Sequence, residues 1–240
     1  MRNGDLEFVC EDPHQVARAE SLYTKEPGTI AWLRATLRAG DVVYDIGANI
    51  GCYSLVAAQL VGPEGHVYAF EPHLANAVSL LQNIQVNALT EVITVVTTPL
   101  GERSQVVPFH YTSMRPGSSG HQLGRVVSET GVPFVPAAFV LAHGMRLDEL
   151  AIAPPDVVKI DVDGLELQVL HGMLRVLNGS LRSVQVEVHP ADRGAITRYM
   201  AARGYRLASR HYTQLGQQAV DAGAKLDAVT DNAIFERVAA

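Results

Sequence analysis

Residues 42–54 constrain the fold of this chain more than any other stretch, because they combine a buried strand, a glycine-rich turn and the start of a helix. Residues 41–46 form a short apolar run, and residues 53–60 carry apolar side chains suited to a helix that packs on a sheet. Gly47 and Gly51 let the backbone pass close to a ligand at the carboxyl end of the strand, where open α/β sheets bind their ligands. The segment therefore predicts an α/β sheet with a ligand site at its edge.

The composition predicts one globular domain over residues 1–240. The 240 residues are 48% hydrophobic, which is enough for one substantial core. The net charge of -6, with lysines and arginines scattered along the chain, argues against nucleic acid as a partner. No signal-peptide pattern is visible and no apolar run approaches the roughly 20 residues that span a bilayer, so we expect no membrane partner. Two cysteines, Cys10 and Cys52, fit a reducing compartment, and we expect a cytoplasmic location.

Strand and helix patterns alternate along the rest of the chain. Residues 1–28 indicate an N-terminal arm that could cover a site or a partner. Residues 112–131 are rich in glycine and serine and indicate a lid, a binding loop or a disordered segment.

Thr29 is expected to cap a helix over residues 29–38. Further strands are predicted over residues 66–72, 92–97, 105–111, 134–141, 156–161, 183–189, 205–212 and 232–238, and further helices over 74–87, 146–150, 164–177 and 195–203. The alternation implies a parallel sheet covered on both faces, with the last two strands at one edge.

Glu71 narrows the class of ligand. It ends the second strand about 24 residues beyond the first glycine, close to the spacing at which an acid accepts hydrogen bonds from a ribose diol. The alternative is an acid at a loop boundary that binds nothing. The turn lacks the Gly-x-Gly-x-x-Gly pattern of dinucleotide sites, and it contains no P-loop lysine. The sequence therefore favours an adenosine-containing ligand without a pyrophosphate.

Five ordered motifs lie between residues 32 and 190. They are Asp45-Ile46-Gly47-Ala48-Asn49-Ile50-Gly51, Phe70-Glu71-Pro72, Arg146-Leu147-Asp148-Glu149-Leu150, Val158-Lys159-Ile160-Asp161-Val162-Asp163-Gly164-Leu165-Glu166 and Val186-Glu187-Val188-His189-Pro190. In order and spacing they resemble the motifs of the FkbM family of S-adenosylmethionine-dependent methyltransferases. The resemblance implies a class I methyltransferase fold: a Rossmann-like, mostly parallel sheet of seven strands, the last one antiparallel. It also implies methylation of a hydroxyl on a small acceptor such as a sugar or polyketide, and a homodimer is a further expectation.

The resemblance also assigns residues to the cofactor. Asp45, Gly47 and Gly51 would hold the methionine moiety, and Glu71 would accept both ribose hydroxyls. Thr98, at the end of the third strand, would contact adenine, although threonines at a strand end are commonly just strand formers. The full set of expected cofactor contacts is Asp45, Gly47, Ala48, Asn49, Gly51, Tyr53, Glu71, Pro72, Thr98 and Asp161.

Two polar pairs at later strand ends are the candidate catalytic residues. Asp161 with Asp163, and Glu187 with His189, lie two residues apart and would share a face. The alternative is a half-exposed strand with solvated polar side chains. An alcohol acceptor needs a general base, and neutral His189 suits that role, with Glu187 orienting it and Asp161 as a second candidate base. The carboxylates of Asp161, Asp163 and Glu187 could instead hold Mg²⁺.

The sequence predicts an O-methyltransferase but leaves alternatives open. These are an N-methyltransferase of the same fold, a non-catalytic S-adenosylmethionine-binding module and a dehydrogenase. Asp163 stands where the family more often has glutamate, and residues 104–140 fit the family poorly apart from Ser118-Ser119-Gly120, so the acceptor is not identified. Trp32 is expected in the core. Lys159 is expected to pair with an acid at a strand end.

Overall fold

The computed structural model describes residues 1–238, which form a seven-stranded sheet, a three-stranded sheet and a short N-terminal hairpin. The strands are β1 Arg2–Asn3, β2 Leu6–Glu7, β3 Val42–Ile46, β4 His66–Phe70, β5 Ile93–Val96, β6 Gln105–Tyr111, β7 Gln122–Leu123, β8 Ala138–Gly144, β9 Val157–Ile160, β10 Ser183–Val188, β11 Tyr205–His211 and β12 Asp231–Arg237. The helices are α1 Pro13–Glu20, α2 Pro27–Thr36, α3 Cys52–Val61, α4 Leu74–Val86, α5 Glu166–Gly172, α6 Leu174–Asn178, α7 Arg193–Ala201 and α8 Gln214–Asp221. Short 3₁₀ turns lie at Leu147–Glu149 and Leu226–Ala228.

The seven-stranded sheet has the order β11-β12-β10-β9-β3-β4-β5. The strands from β10 to β5 in this order run parallel to their neighbours. β12 lies antiparallel between β10 and β11. The prediction of a Rossmann-like α/β fold with seven strands, the last antiparallel, is confirmed.

Alternate residues of the central strands face opposite sides of the sheet and enter two separate cores. Val43 of β3 and Val157 of β9 belong to the core that also contains side chains of α2, α3 and α4. Tyr44 and Val158, one residue further along, belong to the core beneath α5, α6 and α7. Helices therefore cover both faces of the sheet, and the carboxyl ends of its strands remain as the place where such a sheet binds a ligand.

The N-terminal segment is folded rather than extended, because a capping box starts α1. The Asp12 side chain accepts a hydrogen bond from the His14 N–H at 2.8 Å, and the Gln15 side-chain oxygen accepts one from the Asp12 N–H at 2.9 Å. The Gln15 amide also donates to Ser79 of α4 at 2.7 Å. The segment predicted as an arm is therefore docked on the rest of the protein.

Several predicted boundaries are wrong. The helix predicted over residues 195–203 is α7 at Arg193–Ala201, the helix predicted over 146–150 is a 3₁₀ turn, and the strand predicted over 134–141 is β8 at Ala138–Gly144. α2 begins at Pro27 after Glu26, so Thr29 lies inside the helix rather than at its cap. The helix predicted over residues 164–177 is two helices separated at Met173. The interruption follows Gly172, where a β-carbon would lie 2.2 Å from the Gly101 carbonyl oxygen. Helices α1 and α8 were not predicted, and no helix among residues 1–238 is long and apolar enough to cross a bilayer.

The polar face of β10 is buried, which excludes the alternative of a solvated strand for its first half. Ser183 accepts a hydrogen bond from Trp32 Nε1 at 3.0 Å, so the tryptophan is in the core as predicted. The Gln185 amide donates to Thr29 at 3.0 Å and to the Asn232 side chain at 3.2 Å. These bonds join α2, β10 and β12.

Replacing Gln185 with Ala should therefore destabilise the protein by about 2–4 kcal/mol, because two buried acceptors lose their donor and a cavity forms. Urea denaturation measures the change. The matched control is Gln218→Ala on the exposed face of α8, expected to change stability by less than about 0.5 kcal/mol. Equal effects of the two substitutions would contradict this account of the β10 face.

Candidate active site

A cleft lies at the carboxyl ends of β3, β4, β9 and β10, where open α/β sheets bind their ligands. The apolar part of its wall includes Phe70, Leu100 and Phe109. Its charged and polar lining comes from several elements and comprises Arg18, Lys25, Asn49, Glu71, Asn76, Thr98, Ser118, Ser119, His121, Asp161, Asp163 and Glu187. Of the expected cofactor residues, Gly47, Asn49, Glu71, Pro72, Thr98 and Asp161 line this cleft. Ala48 and Tyr53 line a smaller pocket beside it.

Glu71 is held at the end of β4 by backbone donors. Its Oε2 accepts from the Asn49 N–H at 2.7 Å, and its Oε1 accepts from the His73 N–H at 2.8 Å. Burial, only partly offset by these bonds, raises the pKa of Glu71 to about 7. Each oxygen keeps a further lone pair, because a carboxylate has about four acceptor sites. The side chain can therefore accept two more hydrogen bonds from a ligand.

The two glycines of the first turn are required by close packing as well as by their backbone conformation. Both have left-handed φ values, +87° at Gly47 and +91° at Gly51. A β-carbon on Gly47 would lie 1.7 Å from the Asp161 carbonyl oxygen, and one on Gly51 would lie 2.3 Å from Leu80 of α4. Gly47 lines the cleft, whereas Gly51 packs behind it.

A buried lysine joins two of the predicted acids. Lys159 Nζ lies 3.1 Å from Asp161 Oδ2 and 3.6 Å from Asp45 Oδ1, so its expected pairing with a strand-end acid is confirmed. Burial opposes the charge of Lys159, but both carboxylates raise its pKa above the usual value. Burial likewise raises the pKa of Asp161, but Lys159, Lys25 and Arg18 outweigh this and lower it overall. Asp161 is therefore an ionised side chain in the cleft wall.

Asp45 lies behind the cleft rather than in its wall. Its Oδ2 accepts a hydrogen bond from Ser54 at 2.6 Å, while Oδ1 is buried without a hydrogen-bond partner among the described residues. It faces Lys159, which also stands 5.1 Å from the centre of the Tyr53 ring. The structure thus places Asp45 where it positions Lys159.

Asp163 points toward residues 112–131, which we call the long loop. Its backbone is left-handed, with φ of 54°, and its carboxylate accepts from the Gly120 N–H at 2.7 Å. Burial and the charge of Asp161 raise its pKa to about 6. Glu166 fixes the same segment by accepting from the backbones of Val162 and Gly164. Asp163 therefore ties residues 112–131 to the end of β9.

Glu187 and His189 are not brought together at the cleft. Glu187 lines it, and the charge of Asp161, together with burial, raises the pKa of Glu187 well above its usual value. β10 ends at Val188, and the chain turns as Asp192 donates to the His189 carbonyl at 3.0 Å. The His189 imidazole lies 3.8 Å from Glu129 and is not among the residues that line the cleft.

The magnesium alternative finds no support in this geometry. Within residues 1–238, no group of three or more His, Cys, Asp or Glu side chains is placed to hold a metal ion. Of the three candidate ligands, Asp161 pairs with Lys159, and Asp163 accepts from the Gly120 backbone.

Two stacked histidines that the sequence did not assign to a site hold the long loop over the cleft. The His73 and His121 rings are 4.0 Å apart and nearly parallel. His121 contacts Thr112 and Ser118 through its two ring nitrogens, and His73 Nε2 lies 3.0 Å from the Ser113 carbonyl oxygen. Burial, reinforced by His73, lowers the pKa of His121 to about 3. Both rings therefore act as neutral loop anchors, and no sequence spacing signals this pairing.

Asparagines complete the attachment of the loop. Asn49 and Asn76 both donate to the Ser118 carbonyl, at 2.8 and 3.0 Å, and Asn76 accepts from the Gly117 backbone at 2.7 Å. The glycine turn and α4 therefore both anchor the loop through hydrogen bonds.

Comparison with known proteins places the chain in a family. Residues 45–207 match the family described as the Methyltransferase FkbM domain. The chain is 28% identical over 187 residues to the hexuronic acid methyltransferase AglP of Haloferax volcanii, an alignment that covers 76% of this chain and 70% of that protein. A shorter match, 47% identical over 53 residues, relates 20% of the chain to 25% of the protein-L-isoaspartate O-methyltransferase of Ignicoccus hospitalis.

Solved structures share the fold. The methyltransferase FkbM of Methylobacillus flagellatus superposes with a TM-score of 0.59 at 16% identity, covering 94% of this chain and 55% of that one. A putative rRNA-methylase of Clostridium thermocellum gives 0.56 at 9% identity, covering 90% and 97%. At such identities the likeness establishes only the class I methyltransferase fold. Together with the match over residues 45–207, it shows that this chain belongs to the FkbM family of S-adenosylmethionine-dependent methyltransferases.

Proposed function

We propose that this protein transfers a methyl group from S-adenosylmethionine to a hydroxyl of a small metabolite, such as a sugar or a natural-product scaffold. The observation that carries the proposal is one cleft that places Glu71, suited to a ribose diol, beside the acids Asp161 and Glu187. The name of the hexuronic acid methyltransferase relative favours a sugar as the acceptor class.

The residues present fit the cofactor. Glu71 has two acceptor sites left for the ribose hydroxyls, and Phe70 and Leu100 offer apolar surface to an adenine ring near Thr98. Gly47 and Asn49 present backbone at the end of β3. Asp161 faces the same space and would receive the ammonium of the methionine moiety.

The chain's own side chains would activate and orient the acceptor. When bound, S-adenosylmethionine supplies an electrophilic methyl group. An alcohol must lose its proton to become a good nucleophile, and a carboxylate with a raised pKa accepts that proton more readily than an ordinary one. Glu187 has this property and lines the cleft. We therefore assign Glu187 as the base, with ionised Asp161 kept for the cofactor's ammonium and His189, which faces Glu129, as the less favoured base.

The surrounding segments would exclude water from the reaction. Residues 1–28 and 112–131 both contribute side chains to the cleft wall, including Arg18 and Ser118. We assign residues 112–131 as the lid that borders the acceptor, within one methyltransferase domain. Positioning of the acceptor in line with the methyl group can lower the barrier by several kcal/mol.

Incubation of the protein with isotopically labelled S-adenosylmethionine and pools of neutral sugars, acidic sugars and polyketides tests the reaction class. Mass spectrometry is expected to detect a methyl gain on an acceptor oxygen, with fragment ions or NMR locating it. Methylation confined to amines would instead establish an N-methyltransferase. Tight cofactor binding with no acceptor methylated in any pool would favour a non-catalytic binding module.

Substitution of Glu187 by Gln should lower kcat by about 10²–10⁴-fold, because the variant cannot accept the acceptor's proton. Binding of S-adenosylhomocysteine should change by less than about threefold, which separates lost chemistry from lost structure. His189→Ala is the comparison, with an expected loss of less than about tenfold in kcat. If His189→Ala were the more damaging change, the base would be His189 as the sequence predicted.

Cofactor binding should weaken as the pH falls through 7. The pKa of Glu71 is raised to about 7, so the side chain is ionised above that pH and protonated below it. The ionised form accepts both ribose hydroxyls, and the Kd for S-adenosylhomocysteine should be about tenfold higher at pH 6 than at pH 8. Calorimetric titrations at the two pH values measure this. Asp163 and Glu166 also titrate in this range. The Glu71→Gln variant isolates the contribution of Glu71, and an undiminished pH dependence in that variant would refute the assignment.

A further inference from the structure

The structure assigns a carboxylate-binding role to the N-terminal helix: we propose that the Arg18 guanidinium binds the carboxylate of the cofactor's methionine moiety. This inference rests on the proposed function, because it presumes S-adenosylmethionine as the ligand. It concerns a residue outside every motif by which the family was identified, in the part of the chain before residue 45.

Arg18 lies between two adjoining spaces. It lines both the main cleft and the smaller pocket beside it, as do Lys25, Gly47, Asn49 and Asp161. The smaller pocket continues along the glycine turn to Ala48 and Tyr53, away from Glu71 and Glu187, which line only the main cleft. A ligand whose ribose reaches Glu71 would therefore extend its other end past the glycine turn toward Arg18.

Arg18 differs from the other basic side chains beside these spaces because it has no acidic partner among the described residues. The three basic side chains that line the two spaces are Arg18, Lys25 and Lys159. Lys159 is already bound to Asp161 and Asp45, and Lys25 lies 3.0 Å from Glu26. Among the described residues, no carboxylate lies within salt-bridge distance of Arg18, whose Nε donates to the Gly117 carbonyl at 2.5 Å. Its two terminal nitrogens are left for a ligand.

The amino-acid group of the cofactor complements this arrangement. It carries an ammonium and a carboxylate on one carbon atom. Ionised Asp161 suits the ammonium, while a guanidinium with two free nitrogens suits the carboxylate in a bidentate contact. A carboxylate of the methyl acceptor is the other source of such a group. The acceptor must approach Glu187, however, and Glu187 does not line the smaller pocket.

The guanidinium is also held in place before any ligand arrives. α1 is anchored at its start by the Gln15 contact with Ser79, and at its end by Asn3, whose amide donates to the Ala19 carbonyl at 2.7 Å. The bond from Arg18 Nε to Gly117 fixes the side chain itself against the long loop. A positioned cation loses less side-chain entropy on binding than a free one.

The test compares two ligands in calorimetric titrations of the full chain: S-adenosylhomocysteine, and 5′-methylthioadenosine, which lacks the amino-acid group. Arg18→Ala should weaken S-adenosylhomocysteine binding by about 10- to 100-fold and change methylthioadenosine binding by less than about threefold. Arg18→Lys, which keeps the charge but not the bidentate fork, should give an intermediate loss for S-adenosylhomocysteine. Arg38→Ala, an equal charge change at an exposed residue after α2, is the control and should affect neither ligand.

Three outcomes would overturn the inference. Equal losses for both ligands would mean that Arg18 only supports the loop through Gly117. Unchanged binding of both ligands would mean that it touches no part of the cofactor. Unchanged cofactor binding with a raised KM confined to acceptors that carry a carboxylate would place the acceptor's acid at Arg18. Failure of the unsubstituted protein to bind either ligand would instead contradict the proposed function, so the two failures are distinguishable.

Discussion

The site depends on a buried lysine between two acids. Lys159 is 2% exposed, and its neighbour in register on β3 is Asp45, so the charge contact joins the two central strands side by side. Lys159 also contacts Asp161, so the same group of charges reaches the end of β9. Removing one partner of a buried ion pair typically costs about 3–5 kcal/mol, because the other charge is left uncompensated. The strand ends that form the cleft are thereby fixed relative to each other.

The same contact sets the electrostatics of the reaction we propose. Lys159 keeps Asp161 ionised, and the negative charge of Asp161 is the largest cause of the raised pKa of Glu187. Asp161 is therefore ionised beside Glu187, whose carboxylate in its ionised form is the stronger base because its pKa is higher. Pairs of titratable groups whose environments separate their pKa values commonly take different roles in acid–base chemistry. Asp161 and Glu187, which come from two separate motifs, are thus electrostatically coupled through the effect of one charge on the pKa of the other.

The sequence predicted those parts of the fold that depend on local pattern. β3, β4 and β9 are buried on both faces and therefore appear as short apolar runs whose ends are easy to place, and Glu71 follows from such an end. The prediction that Asp161 and Asp163, and likewise Glu187 and His189, share a face came from the alternation of side chains along a strand. That alternation holds only while the strand continues. β10 stops at Val188, so His189 departs from the cleft, and the left-handed backbone of Asp163 directs it to the long loop.

Other features could not be predicted because their causes lie far away in the chain. The polar face of β10 is buried only because α2 and β12 supply Trp32 and Asn232 as partners. The capping box at Asp12 is a local signal for α1, but nothing local shows that α1 carries Arg18 to the glycine turn. The stack of His73 on His121 likewise joins the residue that caps α4 to the long loop.

The most direct test of the account is a crystal structure of the protein with S-adenosylhomocysteine. We expect both ribose hydroxyls within about 3.2 Å of the Glu71 carboxylate. The ligand's sulfur should face the space between Asp161 and Glu187. A ligand bound elsewhere, or bound in the cleft with its ribose away from Glu71, would contradict the account.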